Sequence, residues 1–180
     1  MATNYETHEY DVLVIGAGGA GLRAAIEAST AGVKVGLICK SLLGKAHTVM
    51  AEGGMAAAMG NVDDRDNWKV HFADTMRGGQ YVNNWRMAEL HAKEAPQRVH
   101  ELEAWGAVFD RTKEGKISQR NFGGHRYPRL AHVGDRTGTR IDSHIAGSRH
   151  SSRHHGSHGI YHCVAVERWR ARGGRVWLRP

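Results

Sequence analysis

The chain has 180 residues, a length that suits one domain of ordinary size, and 41% of them are hydrophobic. No apolar stretch reaches the roughly 18 residues that a membrane-spanning helix needs, so the composition argues against a membrane-spanning chain. The 25 lysines and arginines outnumber the 18 acids, so the chain is basic. Its two cysteines, Cys39 and Cys163, provide neither a disulfide framework nor a C-x-x-C site.

The first predicted element is a nucleotide-binding βαβ unit. An apolar, strand-like run at 10–15 leads into the pattern G-x-G-x-x-G at 16–21. An alanine-rich, helix-prone stretch follows at 22–31, and a second strand-like run at 33–39. A glycine-rich turn alone is common, but here it lies between a strand and a helix, as a dinucleotide site requires.

Each glycine of the pattern has a physical role. Gly16 allows the tight turn after the strand, Gly18 lets the backbone approach a pyrophosphate, and Gly21 lets the helix pack closely on the strand. The helix N-terminus then presents N–H groups and a positive dipole end to the phosphates. The cofactor-binding residues predicted in this turn are Gly16, Ala17, Gly18, Gly19, Ala20 and Gly21.

The end of the second strand lacks the carboxylate that usually holds a ribose in NAD-binding proteins. Cys39, Lys40 and Ser41 stand there instead. The NAD interpretation therefore loses support. We predict that Lys40 and Ser41 still contact ribose or phosphate, and we place Cys39 with them among the cofactor-binding residues.

A second motif, H-T-V-x-A-x-G-G, begins at His47. With the glycine-rich turn, it resembles the flavoprotein subunit of succinate dehydrogenase and fumarate reductase. Further similar segments are Glu103–Phe109, Gln119–His125 with its F-G-G, and Gly134–Gly138 with its D-R-T-G, so the resemblance covers roughly residues 8–138.

The resemblance implies a Rossmann-like α/β FAD-binding domain, of which residues 1–138 would be the truncated N-terminal portion. It implies that the flavin is bonded covalently to His47, a role that suits an imidazole because its neutral nitrogen is a competent nucleophile. Beside the turn and residues 39–41, the implied FAD-binding residues are His47, Thr48, Ala51, Gly53 and Gly54. L-Aspartate oxidase shares the fold but lacks the histidine, so His47 favours the dehydrogenase/reductase branch. The alternative is an L-aspartate-oxidase-like protein or another FAD oxidoreductase.

The middle of the chain reads as scaffold. Helical patterns run over 66–76 and 85–105, with Asn84 as a capping residue and with Met87, Leu90 and His91 on one face. The histidines here are spaced too irregularly for a metal site.

The F-G-G segment has two interpretations. Alone, it predicts a glycine turn that exposes an aromatic side chain. The resemblance instead places Phe122 and Gly123 at the dicarboxylate site, whereas His125 stands where many family members have glutamine.

The chain changes character after Gly138. Residues 139–180 carry eight arginines, no lysine and only two acids, and the run at 148–158 is of low complexity. This basic, histidine-rich tail could bind nucleic acid or metal, be disordered, or be an out-of-frame translation. We favour the last, because one codon choice for Asp142–Gly147, read one base later, gives Ile-Arg-Thr-Leu-Gln, much like the family's continuation. In each case we expect an irregular tail.

For the whole protein the resemblance implies succinate–fumarate interconversion, a dicarboxylate substrate, and two kinds of partner, namely an iron–sulfur subunit together with membrane anchor subunits. We expect no nucleic-acid partner, since most of the excess positive charge lies in the tail. No catalytic residue can be assigned in residues 8–138, so we expect a chain that is inactive alone, or a non-catalytic flavin-binding fragment. The polar residues 1–8 and the short apolar run at 12–15 predict no signal peptide, and hence a cytoplasmic protein. The resemblance implies that partner subunits hold this protein at the inner membrane.

Overall fold

The computed structural model describes residues 8–40, 43 and 45–138, together with the backbone of three strands between residues 162 and 179. The chain divides into two compact units. The first consists of Met1–Met50 with Ile145–Pro180, and the second of Ala51–His144.

The first unit contains the predicted βαβ element. Strand β1 is Val12–Ile15, helix α1 is Gly19–Thr30 and strand β2 is Val35–Cys39. The two strands are parallel, in a register that pairs Val12 with Val35. Every residue of β2 is buried, whereas β1 is the edge strand of the described sheet and is largely exposed.

Three strands lie in the tail that we predicted to be irregular. They are β6, β7 and β8, at His162–Ala165, Arg168–Arg172 and Arg175–Arg179. Strand β6 pairs in parallel with β2, while β7 and β8 form an antiparallel ribbon. These segments therefore differ from the expected irregular tail, since backbone pairing does not require apolar periodicity in the sequence. The low-complexity run at 148–158 lies outside the described residues.

The second unit contains two long helices, as predicted. Helix α2 is Trp68–Gly78 and helix α3 is Trp85–Ala104. The side chain of Asn84 caps α3 by accepting hydrogen bonds from two amides of the first turn, and Asn67 caps α2 in the same way. Pro96 lies inside α3 and does not end it.

A small antiparallel sheet completes the second unit. Its order is β3, β5, β4, with β3 at Met55–Ala56, β4 at Gln119–Arg120 and β5 at Leu130–Ala131. These strands bring the segment after the H-T-V motif beside the segment that carries F-G-G. Within the described residues, no helix combines the length and hydropathy that a membrane crossing requires.

Candidate functional site

The glycine-rich turn has the geometry that its sequence predicts. Gly16 follows β1 with a φ of +108°, and its N–H donates to the carbonyl oxygen of Ile38 at 2.7 Å. A Cβ on Gly21 would lie 1.8 Å from the carbonyl oxygen of Gly16. The turn and helix α1 therefore approach each other at a distance that only glycine allows.

The N-terminus of α1 suits an anionic group. Gly18 is its extended N-cap residue and has no side chain of its own to cap the helix, and the first turn has no acidic residue. The helix dipole and the amides of the first turn are thus not opposed by a carboxylate. This arrangement is the one that binds phosphates in many proteins.

Thr48 joins the H-T-V segment to the glycine-rich turn. The amide of Gly19 donates to Thr48 Oγ1 at 3.0 Å, across 29 positions of sequence. His47, the preceding residue, is exposed and begins the 3-10 turn His47–Met50. The structure thus brings the predicted flavin-linking histidine to the turn.

The remaining predicted contacts of the first unit lie around the end of β2. Cys39 is its buried last residue and Lys40 is exposed directly after it. Ala17 is buried inside the turn and Ala20 is exposed. Ser41 lies outside the described residues.

The predicted FAD-binding residues Ala51, Gly53 and Gly54 belong to the second unit, where Arg120 clamps their loop. Arg120 Nε donates to the carbonyl oxygen of Gly53 at 3.0 Å, and Nη2 donates to the carbonyl oxygen of Glu52 at 2.8 Å. Residue-by-residue reading missed Arg120. The available signal was its place two residues before F-G-G, on strand β4, which belongs to the same sheet as β3, the strand that follows the loop.

Phe122 lies beside this loop. A Cβ built on Gly53 would be 3.9 Å from Phe122 Cε2, and the Phe122 ring is 60% exposed. Gly123 is exposed as well, with nothing within 4 Å of the position of a Cβ. The second unit therefore places the predicted dicarboxylate residues next to part of the predicted flavin loop.

A buried ion cluster, which the sequence did not reveal, lies behind the F-G-G segment. Arg129 is 0% exposed, and its Nη2 donates to Asp66 Oδ1 at 2.9 Å and to Asp74 Oδ2 at 2.8 Å. The second oxygen of Asp74 accepts from the half-exposed Arg77 at 2.5 Å. The cluster thus combines two buried carboxylates with one buried guanidinium.

The two carboxylates respond differently to this environment. Burial raises the pKa of Asp66, and the attraction of Arg129 does not fully offset it. Burial also acts most strongly on Asp74, but there the Arg126 amide and two guanidiniums outweigh it, so the Asp74 pKa is lowered. Asp66 is therefore the carboxylate that accepts a proton first as the pH falls.

His71 lies in the same region on α2. Burial, followed by repulsion from Arg129, lowers the pKa of His71 to about 4. Its ring centroid is 5.3 Å from that of His91 and 6.4 Å from that of His125. Burial, followed by Arg129, also lowers the pKa of His125.

We expect His71 to make the protein less stable in acid. Because its folded pKa lies below its unfolded value of 6.5, the unfolded chain binds more protons between pH 6.5 and 4, and stability falls with pH across that window. The loss at pH 4.5 should reach about 2.5 kcal/mol at most. Chemical denaturation of wild type and His71→Phe at pH 7 and pH 4.5 measures it.

His100→Phe is the control for this experiment, since His100 is exposed on α3. His71→Phe should reduce the difference in unfolding free energy between the two pH values, and His100→Phe should not. An unchanged difference in His71→Phe would contradict the assignment.

The residues of the turn fit an FAD pyrophosphate. Gly18 has no side chain to obstruct it, and the nearest side-chain atoms to a Cβ there would be Thr48 Oγ1 at 3.3 Å and Ala46 Cβ at 3.7 Å. Amides of α1 supply donors, and the hydroxyl of Thr48 adds a polar group. The donor set is that of a phosphate site, without a carboxylate in the first turn.

Comparison with known proteins agrees with this geometry. A family described as FAD binding domain matches residues 11–162. A fumarate reductase (CoM/CoB) subunit of Methanothermobacter marburgensis is 49% identical over 134 residues, which are 74% of this chain and 24% of that protein. A mitochondrial succinate dehydrogenase (ubiquinone) flavoprotein subunit of Xenopus laevis is 44% identical over 148 residues, with coverages of 77% and 22%.

Solved structures give the same result. The Mycobacterium smegmatis Sdh1 complex in its apo form matches with 66% identity and a TM-score of 0.78, over 82% of this chain and 26% of that chain. Escherichia coli quinol fumarate reductase matches with 34% identity and a TM-score of 0.76, over 81% and 25%. The predicted FAD-binding fold is thereby confirmed, while the chain spans about a quarter of the length of these relatives.

Proposed function

Because the chain belongs to the FAD-binding domain family, among the flavoprotein subunits of succinate dehydrogenase and fumarate reductase, we propose that it provides the flavin site of an enzyme that interconverts succinate and fumarate. FAD is the cofactor of this fold. The glycine-rich turn and the start of α1 would hold its pyrophosphate.

The observation that carries this proposal is the hydrogen bond from the Gly19 amide to Thr48 Oγ1. It fixes the H-T-V segment against the phosphate-binding end of α1. His47 then stands one residue from the cofactor turn, exposed at the start of its own short helix. We propose that a ring nitrogen of His47 forms the covalent bond to the flavin.

The other residues to which we assign roles would bind and orient the cofactor and the dicarboxylate. When bound, FAD would supply the redox chemistry, as the two-electron acceptor for succinate oxidation or the two-electron donor for fumarate reduction. Arg120 holds the carbonyl groups of Glu52 and Gly53, which fixes the loop that carries Gly54. Phe122, 60% exposed beside Gly53, would provide an apolar wall against the methylene carbons of a dicarboxylate.

The alternative is an L-aspartate-oxidase-like or other FAD oxidoreductase that holds its flavin without a covalent bond. The position of His47 beside the turn favours the covalent branch. A flavin-binding piece without catalysis differs from both in lacking turnover, and the residues to which we assign roles do not include the proton-transferring groups of the reaction.

We also propose the partners. The relatives are subunits of succinate dehydrogenase and fumarate reductase. Electrons would leave this flavin for an iron–sulfur subunit, which membrane anchor subunits would hold at the inner membrane. The chain itself would be peripheral to that membrane on the cytoplasmic side.

Flavin that survives denaturation tests the proposal. We expect the band of the wild-type holoprotein on a denaturing gel to show flavin fluorescence after acid treatment, since a histidyl bond to the flavin resists both denaturation and acid. His47→Ser should abolish the fluorescent band, because serine leaves no imidazole to bond to the flavin.

The matched control is His100→Ser, which removes an exposed histidine of α3. It should retain the fluorescent band in full. A dark band from wild-type holoprotein, or fluorescence that persists in His47→Ser, would contradict the covalent assignment.

A further inference from the structure

The loop that carries Phe122 is long, and only its ends belong to the sheet. It runs over residues 121–129, between β4 and β5. The pairs of Arg120 with Leu130 and of Gln119 with Ala131 fix its two ends. Phe122 is near the first end, but the remainder of the loop needs another anchor if the ring is to keep its position.

That anchor is Asp74, on α2. The amide of Arg126, in the middle of the loop, donates to Asp74 Oδ2 at 2.9 Å. The same oxygen accepts from Arg129 Nη2 at 2.8 Å, at the end of the loop. One carboxylate oxygen therefore ties both the middle and the end of the loop to α2.

The anchor is itself rigid. The Asp74 side chain is only 2% exposed, and Asp66 binds Arg129 from its position just before α2. Buried hydrogen bonds to an ionised acceptor are stronger than neutral ones and leave little freedom to either partner. The backbone of the loop is thereby fixed relative to α2.

The loop returns from this anchor to Phe122. The amide of His125, the residue before Arg126, donates to the carbonyl oxygen of Phe122 at 3.1 Å. The ring centroids of Phe122 and His125 are 6.2 Å apart. A displacement of the Arg126 backbone would therefore move the Phe122–His125 turn with it.

We propose that Asp74 is a positioning residue, which holds the 122–126 segment where Phe122 contacts the dicarboxylate. The part of this inference that concerns the dicarboxylate rests on the proposed function. The part that concerns the position of the loop rests only on the hydrogen bonds of Asp74. The Asp74 side chain is buried, so its effect on the dicarboxylate would pass through the loop.

Hydrogen exchange tests the positioning of the loop without any ligand. In Asp74→Asn holoprotein, the amides of 122–126 should exchange about tenfold faster or more, because the charged acceptor is lost, while those of β2 keep their rates. Glu89→Gln, which makes the same chemical change at a partly exposed position of α3, should leave both segments unchanged. Unchanged exchange at 122–126 in Asp74→Asn would overturn the proposal.

A second pair of variants avoids the buried cluster. Arg126→Pro removes the amide donor but keeps Asp74 and Arg129, and the matched Arg126→Ala keeps the amide. Arg126→Pro should reproduce the faster exchange of 122–125, and Arg126→Ala should not. If the two variants exchange alike, Asp74 does not hold the loop through this amide and the proposal fails.

Kinetics tests the consequence for the substrate. With the holoenzyme, Arg126→Pro should raise KM for succinate about tenfold while kcat changes less than about threefold, since ground-state positioning is lost. A purely structural defect would lower the active fraction, and hence kcat, at constant KM. An unchanged KM together with faster exchange in Arg126→Pro would overturn the role of Asp74 in substrate binding. A wild-type enzyme that does not bind succinate would instead refute the proposed function. In that case the exchange experiment alone would decide whether Asp74 holds the loop.

Discussion

Gly21→Ala should destabilise the first unit by about 3 kcal/mol or more and weaken FAD binding at least about 100-fold. A Cβ at this position would lie 1.8 Å from the carbonyl oxygen of Gly16 and 2.9 Å from its carbonyl carbon. Both atoms belong to the backbone, so a side-chain rotation cannot relieve the contact. Helix α1 would have to move away from the turn, and its amides would leave the phosphate position.

Denaturant unfolding and FAD titration by fluorescence measure the two effects. Gly19→Ala is the matched control for stability, because a Cβ there would meet only the Thr48 side chain, at 3.5 Å and 3.6 Å. It should change the unfolding free energy by less than about 1 kcal/mol. A Gly21→Ala protein as stable as Gly19→Ala would show that the helix does not pack on the turn as described.

Arg129→Met should cost about 3–5 kcal/mol of unfolding free energy at pH 7, because it leaves the buried Asp66 without a guanidinium and Asp74 with only that of Arg77. Arg129 is 0% exposed, and it bonds to both Asp66 and Asp74. Methionine has a similar length and fills much of the space, so the lost charge dominates the result. Chemical denaturation of the holoprotein measures the change.

Arg77→Met is the control, since Arg77 bonds to the same Asp74 from a half-exposed position. It should cost no more than about 1 kcal/mol. The defect of Arg129→Met should also shrink as the pH falls, because Asp66, whose pKa burial already raises, becomes protonated and no longer needs a cation. A cost below that of Arg77→Met would contradict the description of the cluster.

The local signals of the sequence predicted local structure well. The glycine spacing predicted the turn, because the positive φ of Gly16 and the close contact between Gly16 and Gly21 arise within six residues of sequence. Asn84 was predicted as a cap and does accept hydrogen bonds from the first-turn amides of α3. Such features depend on residues close in sequence, so a sequence reading suffices for them.

Burial along α3 was not so readable. Met87 and Leu90 share a face by helical spacing, yet they are 60% and 48% exposed. The helix buries small residues instead, namely Ala88, Ala92 and Ala95, before Val99 and Leu102. Small side chains allow α2 and α3 to approach closely, so the size of a hydrophobic residue did not indicate which face is inside.

The buried ion cluster could not be predicted at all. Asp66 and Asp74 lie 63 and 55 positions from Arg129, and charged residues in a sequence are ordinarily assigned to the surface. Only the fold shows that the three side chains share one interior site. The same holds for Arg120, whose partner carbonyls lie 67 and 68 positions away.

Arg120 recognises its loop through main-chain oxygens of Glu52 and Gly53, not through side chains. Every amino acid supplies the same carbonyl group, so the grip of the guanidinium is indifferent to the side chain at position 52. Natural variation at position 52 can therefore accumulate, and alter the charge of this loop, while the loop keeps its shape. The shape of the loop and its charge can evolve separately, because the main chain at position 52 determines the first and the side chain determines the second.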